Sequence, residues 1–266
     1  MKQEEPGYCY RYPHPAMTAD CVIFGFDDRS LRVLLVERGM DPYLGSWALP
    51  GGFMKIDETI EQAARRELRE ETGLKDVYLE QFRVFSEVRR DPRERVVTVA
   101  FIALVRPQEC SLAAGDDAAD ARWFDVQFLP PMAFDHAEIV SQARRHLSEI
   151  LRVKPIAFEL LNRYFSLGEL QRVYEAITGN SYDRRNFQRK ALQSGLLCEE
   201  PAAPRDAEEC MCMPAPPPAR SASRPKAEHA RKGRPGKFFS FMRKNLFDKQ
   251  DEDEADDGST KDLFNF

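Results

Sequence analysis

The sequence predicts an α/β domain followed by a small helix-turn-helix domain. Three observations carry that prediction. Roughly the first 150 residues hold several strand-like apolar runs around one strongly patterned helix. From residue 155 to 198 the chain changes to short, well-capped helices. Residues 199 to 232 are rich in proline, alanine and charge and cannot supply a core.

"CVIFGF" (Cys21–Phe26) and "LRVLLVE" (Leu31–Glu37), separated by Asp27-Asp28-Arg29-Ser30, read as a hairpin. The glycine- and proline-marked loop "GSWALPGGF" leads into a helix beginning near Glu58. Further strands are expected at Val77–Val88, Arg95–Val105 and around Trp123 in "ARWFDV". A helix over Ala137–Leu151, apolar at Ile139, Val140, Ala143, Leu147 and Ile150, closes a unit of ordinary domain size. Beyond it, Ser166 with Glu169 three residues on forms a capping box. The helix it starts should end at Gly179-Asn180. Asp183 can cap a second helix, "RRNFQRKALQ", ended by Gly195, and two short helices joined by a tight turn suggest a helix-turn-helix. "GRPGKFFSF" (Gly233–Phe241) reads as a strand again, and the acidic stretch after it as disordered. The division expected is an N-terminal extension over 1–14, an α/β domain over 15–150, a second domain over 151–245 containing the insertion 199–232, and an acidic tail over 246–266.

Composition excludes little. The net charge of −5 gives no global excess pointing to nucleic acid or membrane. Six scattered cysteines form no paired metal-ligand set. No apolar run approaches 20 residues, and no signal segment opens the chain, so a soluble cytoplasmic protein without membrane contact is expected.

The first helix poses the chemical question. Its inward face should follow Ile60, Ala63 and Ala64, then Glu67, Glu70 and Glu71. Negative charge near a helix C-terminus opposes the macrodipole. Glu67 and Glu71 are also like charges one turn apart, costing about 0.2–0.5 kcal/mol. A solvated face with Arg66 and Glu70 paired is one reading. A divalent cation is the other, since glutamate oxygens are hard ligands suited to Mg²⁺ or Mn²⁺. The preceding Pro50-Gly51-Gly52, which lets backbone approach whatever the glutamates hold, favours the cation.

Gly52, five residues, Glu58, seven residues, then Arg66-Glu67-Leu68-Arg69-Glu70-Glu71-Thr72-Gly73-Leu74 resembles the complete Nudix box without departure. The resemblance implies an α/β/α sandwich with a mixed sheet and hydrolysis of a nucleoside diphosphate linked to another moiety. It implies metal ligands at Glu67, Glu70, Glu71 and the Gly51 carbonyl, with Arg66 orienting a glutamate and Glu58 structural. The general base stays open among Glu67, Glu109, Asp116, Asp117 and Asp120.

Arg89, Arg90, Arg93 and Arg95 precede a strand in "RRDPRERVVTVAF". Guanidinium forks suit phosphate and carboxylate recognition, while an exposed charged turn is the plain alternative. With "DDAADARWF", this segment resembles the Nudix branch handling ADP-ribose, a likeness that sugar-responsive relatives share; the favoured resemblance implies cleavage to AMP and ribose 5-phosphate. Arg38, Phe53, Arg93 and Arg95 are the candidate substrate-binding residues, and Trp47 either lines the pocket or belongs to the core.

Residues 154–197 resemble the winged-helix domain fused to Nudix domains in NrtR-type regulators. On that resemblance Arg184–Gln193 is a recognition helix, with Phe187 and Ala191 inward and Arg184, Arg185, Gln188, Arg189 and Lys190 available to double-stranded DNA. Arg234 would sit on the basic returning strand of the wing, with 199–232 as an elongated tip, and the acidic tail could compete with DNA for that surface. The family also implies a homodimer. Two functions follow: a working ADP-ribose pyrophosphatase carrying a winged helix, which the intact box favours, or, as the alternative, a transcription regulator whose Nudix domain senses a nucleotide or sugar.

Overall fold

The computed structural model describes residues 11–73, 77–110, 118–200 and 237–242. Its centre is strand β1 (Ala16–Phe26), which runs antiparallel to β2 (Leu31–Arg38) and parallel to β6 (Val96–Leu104). β3 (Trp47–Ala48) and β7 (Ala118–Asp125) pair with β2, β4 (Gly51–Phe53) with β1, and β5 (Tyr78–Phe85) with β6, giving a seven-stranded mixed sheet.

The period-2 alternation of strand side chains assigns the two faces. Ala19, Cys21 and Ile23 of β1 pack with Ala63, Ala64 and Leu68 of α1 (Ile60–Thr72). Val22 and Phe24 point the other way, towards Ile139, Val140, Ala143 and Leu147 of α2 (His136–Ile150). Covered on both faces, β1 reads as a continuous apolar run, as such strands do. The result is an α/β/α sandwich.

The helical ends follow local rules. α1 begins one residue after Thr59, whose side chain and that of Gln62 form a reciprocal capping box. α3 (Leu167–Thr178) has the expected box of Ser166 and Glu169 and stops at a left-handed Gly179. Asp183 caps α4 (Arg184–Gln193) by accepting from the Asn186 amide at 2.8 Å. α4 buries Phe187 and Ala191, and its other side carries the exposed Arg184, Arg185 and Arg189 and the half-buried Gln188 and Lys190.

β8 (Leu197–Glu200) pairs antiparallel with β9 (Phe238–Phe241), in register Leu197↔Phe241 to Glu200↔Phe238. Two distant pieces of sequence therefore close one hairpin. Phe239 of β9 is buried and also exchanges backbone hydrogen bonds of 2.8 and 3.0 Å with Phe165. Arg234, the acidic tail and most of the stretch between β8 and β9 lie outside the described residues.

A single apolar cluster runs from Val22 and Phe24 through α2 to Leu170, Val173, Phe187 and Phe239. α2 is thus wall to the sheet on one side and to the winged helix on the other. Among the described residues, no helix is long and apolar enough to cross a membrane.

Candidate active site

The helix bearing the glutamates is rotated from the simplest expectation. Its buried residues are Ala63, Ala64, Leu68, Glu71 and Thr72. Glu67 is mostly covered, whereas the Glu70 side chain is 54% exposed, so Glu70 stands at the edge of the face rather than on it. Leu68 takes the inward place, packed among apolar side chains of β1 and β6.

Arg66 organises the carboxylates. Its Nε and Nη2 donate to both oxygens of Glu58 (3.1 and 2.7 Å), and Nη1 donates to Glu67 Oε1 (2.6 Å) and Glu70 Oε2 (3.3 Å). Nη2 also reaches the Phe53 carbonyl at 3.2 Å, tying helix to loop. The Arg66 fork holds the Glu58 carboxyl at about 2. Burial pushes Glu67 up despite the guanidinium beside it.

Glu71 has no such partner. Burial, then the charges of Glu67 and Glu70, push its carboxyl up to about 7, and its Oε2 is buried without a hydrogen bond. An orphaned acidic oxygen beside two further glutamates is an arrangement that asks for a cation. Among the described residues, no three or more His, Cys, Asp or Glu side chains are arranged to hold a metal ion as they stand. The hard oxygen set nonetheless suits an open Mg²⁺-type site, where water and phosphate complete the coordination.

Two glycines make this packing feasible. A Cβ at Gly52 would collide with the Glu67 carboxylate, and one at Gly51 with the Ala19 carbonyl. The loop is further fixed by Cys21 N donating to Pro50 O at 2.8 Å. Burial pushes the Cys21 thiol far above its usual range, which leaves it a packing residue.

Joined to the glutamates through the Arg66–Phe53 contact is a wall of aromatic rings and guanidinium groups. Arg93 stands over Phe53 (5.4 Å) and Phe134 (5.6 Å), and Arg38 over Phe134 (4.9 Å). Tyr43 meets Phe134 edge-on at 4.8 Å. Arg93 is held by Asp91 in a fork of 3.0 and 2.7 Å, which draws the Asp91 carboxyl below its usual range against the effect of burial. Arg38 donates to the Pro42 carbonyl at 2.8 Å.

Three of the four expected substrate-binding residues, Arg38, Phe53 and Arg93, therefore meet. Arg95 stands apart, donating to the Glu87 and Ser86 carbonyls at 3.1 and 2.9 Å and bracing the β5–β6 connection. Trp47 packs edge-on against Phe124 at 4.6 Å, beneath Arg122, on the core side. Asp120 forms an ion pair with Arg122 at 2.5 Å on β7. Asp116 and Asp117 lie outside the described residues, as does the side chain of Glu109.

Several residues of the wall were not singled out by sequence. Phe134 has a left-handed backbone (φ 52°), an uncommon and strained state for an aromatic residue. Next to it, Asp135 forks onto the buried Arg90 (2.9 and 2.7 Å), which also reaches Asp20 at 3.4 Å. His136 is buried, and its Nδ1 accepts from the Leu49 amide at 2.9 Å. Burial holds this ring below its usual pKa. The one available sequence signal was Asp135-His136 immediately before a helix; Phe134 offered none.

The comparisons agree with this architecture at both ends. The Nudix domain model matches residues 14–143, and the NrtR DNA-binding winged helix domain matches residues 157–206. The ADPR responsive transcriptional repressor NtrR of Acinetobacter baylyi is 34% identical over 192 residues, covering 71% of this chain and 76% of that protein. The ADP-ribose pyrophosphatase of Methanocaldococcus jannaschii is 42% identical over 134 residues, 50% of this chain and 76% of that protein. The crystal structure of Shewanella oneidensis NrtR superposes with a TM-score of 0.66 at 31% identity, covering 85% of this chain and 94% of that one. The same protein complexed with a 27mer DNA also gives 0.66, at 30% identity. The chain belongs to the NrtR family, in which a Nudix domain is joined to a DNA-binding winged helix.

Proposed function

We propose that this chain is a DNA-binding regulator whose Nudix domain binds ADP-ribose. The observation carrying the reading is the conjunction, in one chain, of the Arg38–Phe134–Arg93 wall joined to the box glutamates with an α4 whose exposed face is arginine-rich. Relatedness to an ADP-ribose-responsive repressor over most of the chain supports it. Aromatic rings and forked guanidinium groups give planar stacking and phosphate recognition in one wall. Arg184, Arg185, Gln188 and Arg189 reach base edges and phosphates of duplex DNA from α4. The chain acts as a homodimer on a two-fold operator, within the cytoplasm.

A second property, retained hydrolysis, rests on one specific observation: all three box glutamates are present and Glu71 keeps an unpartnered buried oxygen. Glu67, Glu70 and Glu71, with the Gly51 carbonyl, would hold Mg²⁺ or Mn²⁺. Such an ion neutralises diphosphate charge and lowers the pKa of a bound water. The chain's own part is positional. Glu58 fixes Arg66, Arg66 fixes Glu67 and Glu70, and Gly52 leaves Glu67 the room to lie against the loop. The products are AMP and ribose 5-phosphate.

The test combines calorimetric titration of ADP-ribose with AMP release in Mg²⁺, for wild type and Glu70→Gln. Glu70 is exposed, so the substitution leaves the fold intact. Saturable binding by both proteins, with turnover only in wild type, is expected. No binding by wild type overturns the effector reading; binding without turnover overturns hydrolysis alone.

A further inference from the structure

Helix α4 presents an unbalanced surface. Its ten residues include Arg184, Arg185, Arg189 and Lys190 and no Asp or Glu. Arg185, Arg189 and Leu192 lie at i, i+4 and i+7, so they share one face, and all three are exposed. Leu192 is 52% exposed, an apolar side chain among cations. The carboxylates near α4 in the chain are committed elsewhere. Asp183 accepts from the Asn186 amide, Glu199 pairs with Lys237 at 2.6 Å, and Glu200 accepts from the Ser240 hydroxyl at 2.6 Å.

The same chain carries a matching anion. Residues 248–266 hold eight acidic and two basic residues, a net −6 against −5 for the whole chain, so the rest of the protein is net +1. Six of the seven residues 251–257 are Asp or Glu, and Leu263, Phe264 and Phe266 follow. The fold delivers this segment to the helix. Met242 N donates to the Leu196 carbonyl at 2.9 Å, and Leu196 is three residues past the end of α4. Asp251 is nine residues beyond Met242, a reach of about 30 Å at full extension. α4 is about 15 Å long, so the acidic run can reach any point along it. A segment tethered this closely acts at an effective concentration on the order of millimolar. Its carboxylates and DNA phosphates suit the same guanidinium forks.

We propose that residues 248–266 occupy the α4 face of their own chain, the acidic run on Arg185 and Arg189 and the following apolar residues over Leu192. Duplex DNA then has to displace them. This inference rests on α4 being the DNA-contacting helix.

Two readouts test it. The first is affinity for a mixed-sequence duplex as long as the 27mer bound by the Shewanella relative. It compares wild type with a chain truncated after Phe247, a cut that lies beyond β9. A full-length chain with Asp251, Glu252, Asp253, Glu254, Asp256 and Asp257 changed to Asn or Gln covers the case in which truncation disturbs folding. Both variants should bind about 5–150-fold more tightly than wild type at low salt. The gap should close as salt rises. The second readout is zero-length carbodiimide coupling of the Lys190 amine to carboxylates in 251–257, identified by mass spectrometry. Arg189→Lys adds a more exposed amine on the same side of α4. Coupling within one chain, lost when DNA is added, is expected. Unchanged DNA affinity in both variants overturns the proposal. So does tighter binding without coupling to α4, which marks general repulsion. Coupling only between two chains also overturns it, because the face then belongs to a second copy. If no form binds DNA, the DNA-binding reading falls, and coupling alone decides whether the tail sits on α4.

Discussion

At the scale of single residues, Glu71 is the least comfortable group in the molecule. Its carboxyl is raised from the usual 4.5 to about 7 by burial and by two neighbouring glutamates. A folded-state pKa above the unfolded value means that the native state binds the proton more tightly. The penalty is absent below about pH 4.5 and fully present above about pH 7. In the metal-free chain this costs on the order of 3 kcal/mol at high pH. Glu71→Gln should therefore raise the melting temperature in EDTA at pH 8 by several degrees and flatten the loss of stability between pH 5 and 7. A Glu71→Gln protein that melts below wild type at pH 8 would show that the carboxylate has a partner. The glutamates themselves were legible in the sequence, because the box spacing is set by helical geometry. Their unequal burial was not: Leu68 and Thr72 occupy the inward arc that a simple periodic count gave to Glu70. Phe134 was equally invisible, since its role depends on Arg38 and Arg93, 96 and 41 residues away in the chain.

At the scale of elements, capping chemistry made the helices readable. Ser166 with Glu169, Asp183 with the Asn186 amide, and the left-handed Gly179 each set an end that local sequence alone decides. Strand limits were less legible, since they depend on the partner: Tyr78–Phe85 is shorter than its β-forming run, and its pairing with β6 covers only Thr98 to Leu104. The β8–β9 hairpin is the informative case. Its register ends at Glu200↔Phe238, an antiparallel pair that a two-residue turn can close. Replacing residues 201–237 by Asn-Gly should leave the melting temperature within a few degrees of wild type. Truncation after Glu200 removes Phe239 from the core and its hydrogen bonds to Phe165, and should melt the winged helix first, as circular dichroism would record. A hairpin replacement as unstable as the truncation would mean that the intervening residues contribute to the fold.

At the scale of the whole molecule, the two domains share one core through α2. The sequence carried the domain types through two separate patterns. The continuity between them was not visible there, because Ile139 and Leu147 read equally well as facing the sheet alone. The measurement that tests the central claim is the affinity of the full chain for duplex DNA, with and without saturating ADP-ribose, using a duplex that the chain itself selects from a random library as long as the 27mer bound by its Shewanella relative. Coupling free energies of 1–3 kcal/mol correspond to about 5–150-fold, and saturating ADP-ribose is expected to weaken DNA binding within that range. DNA affinity that stays the same while ADP-ribose binds would contradict the account and leave a Nudix domain and a winged helix that work independently.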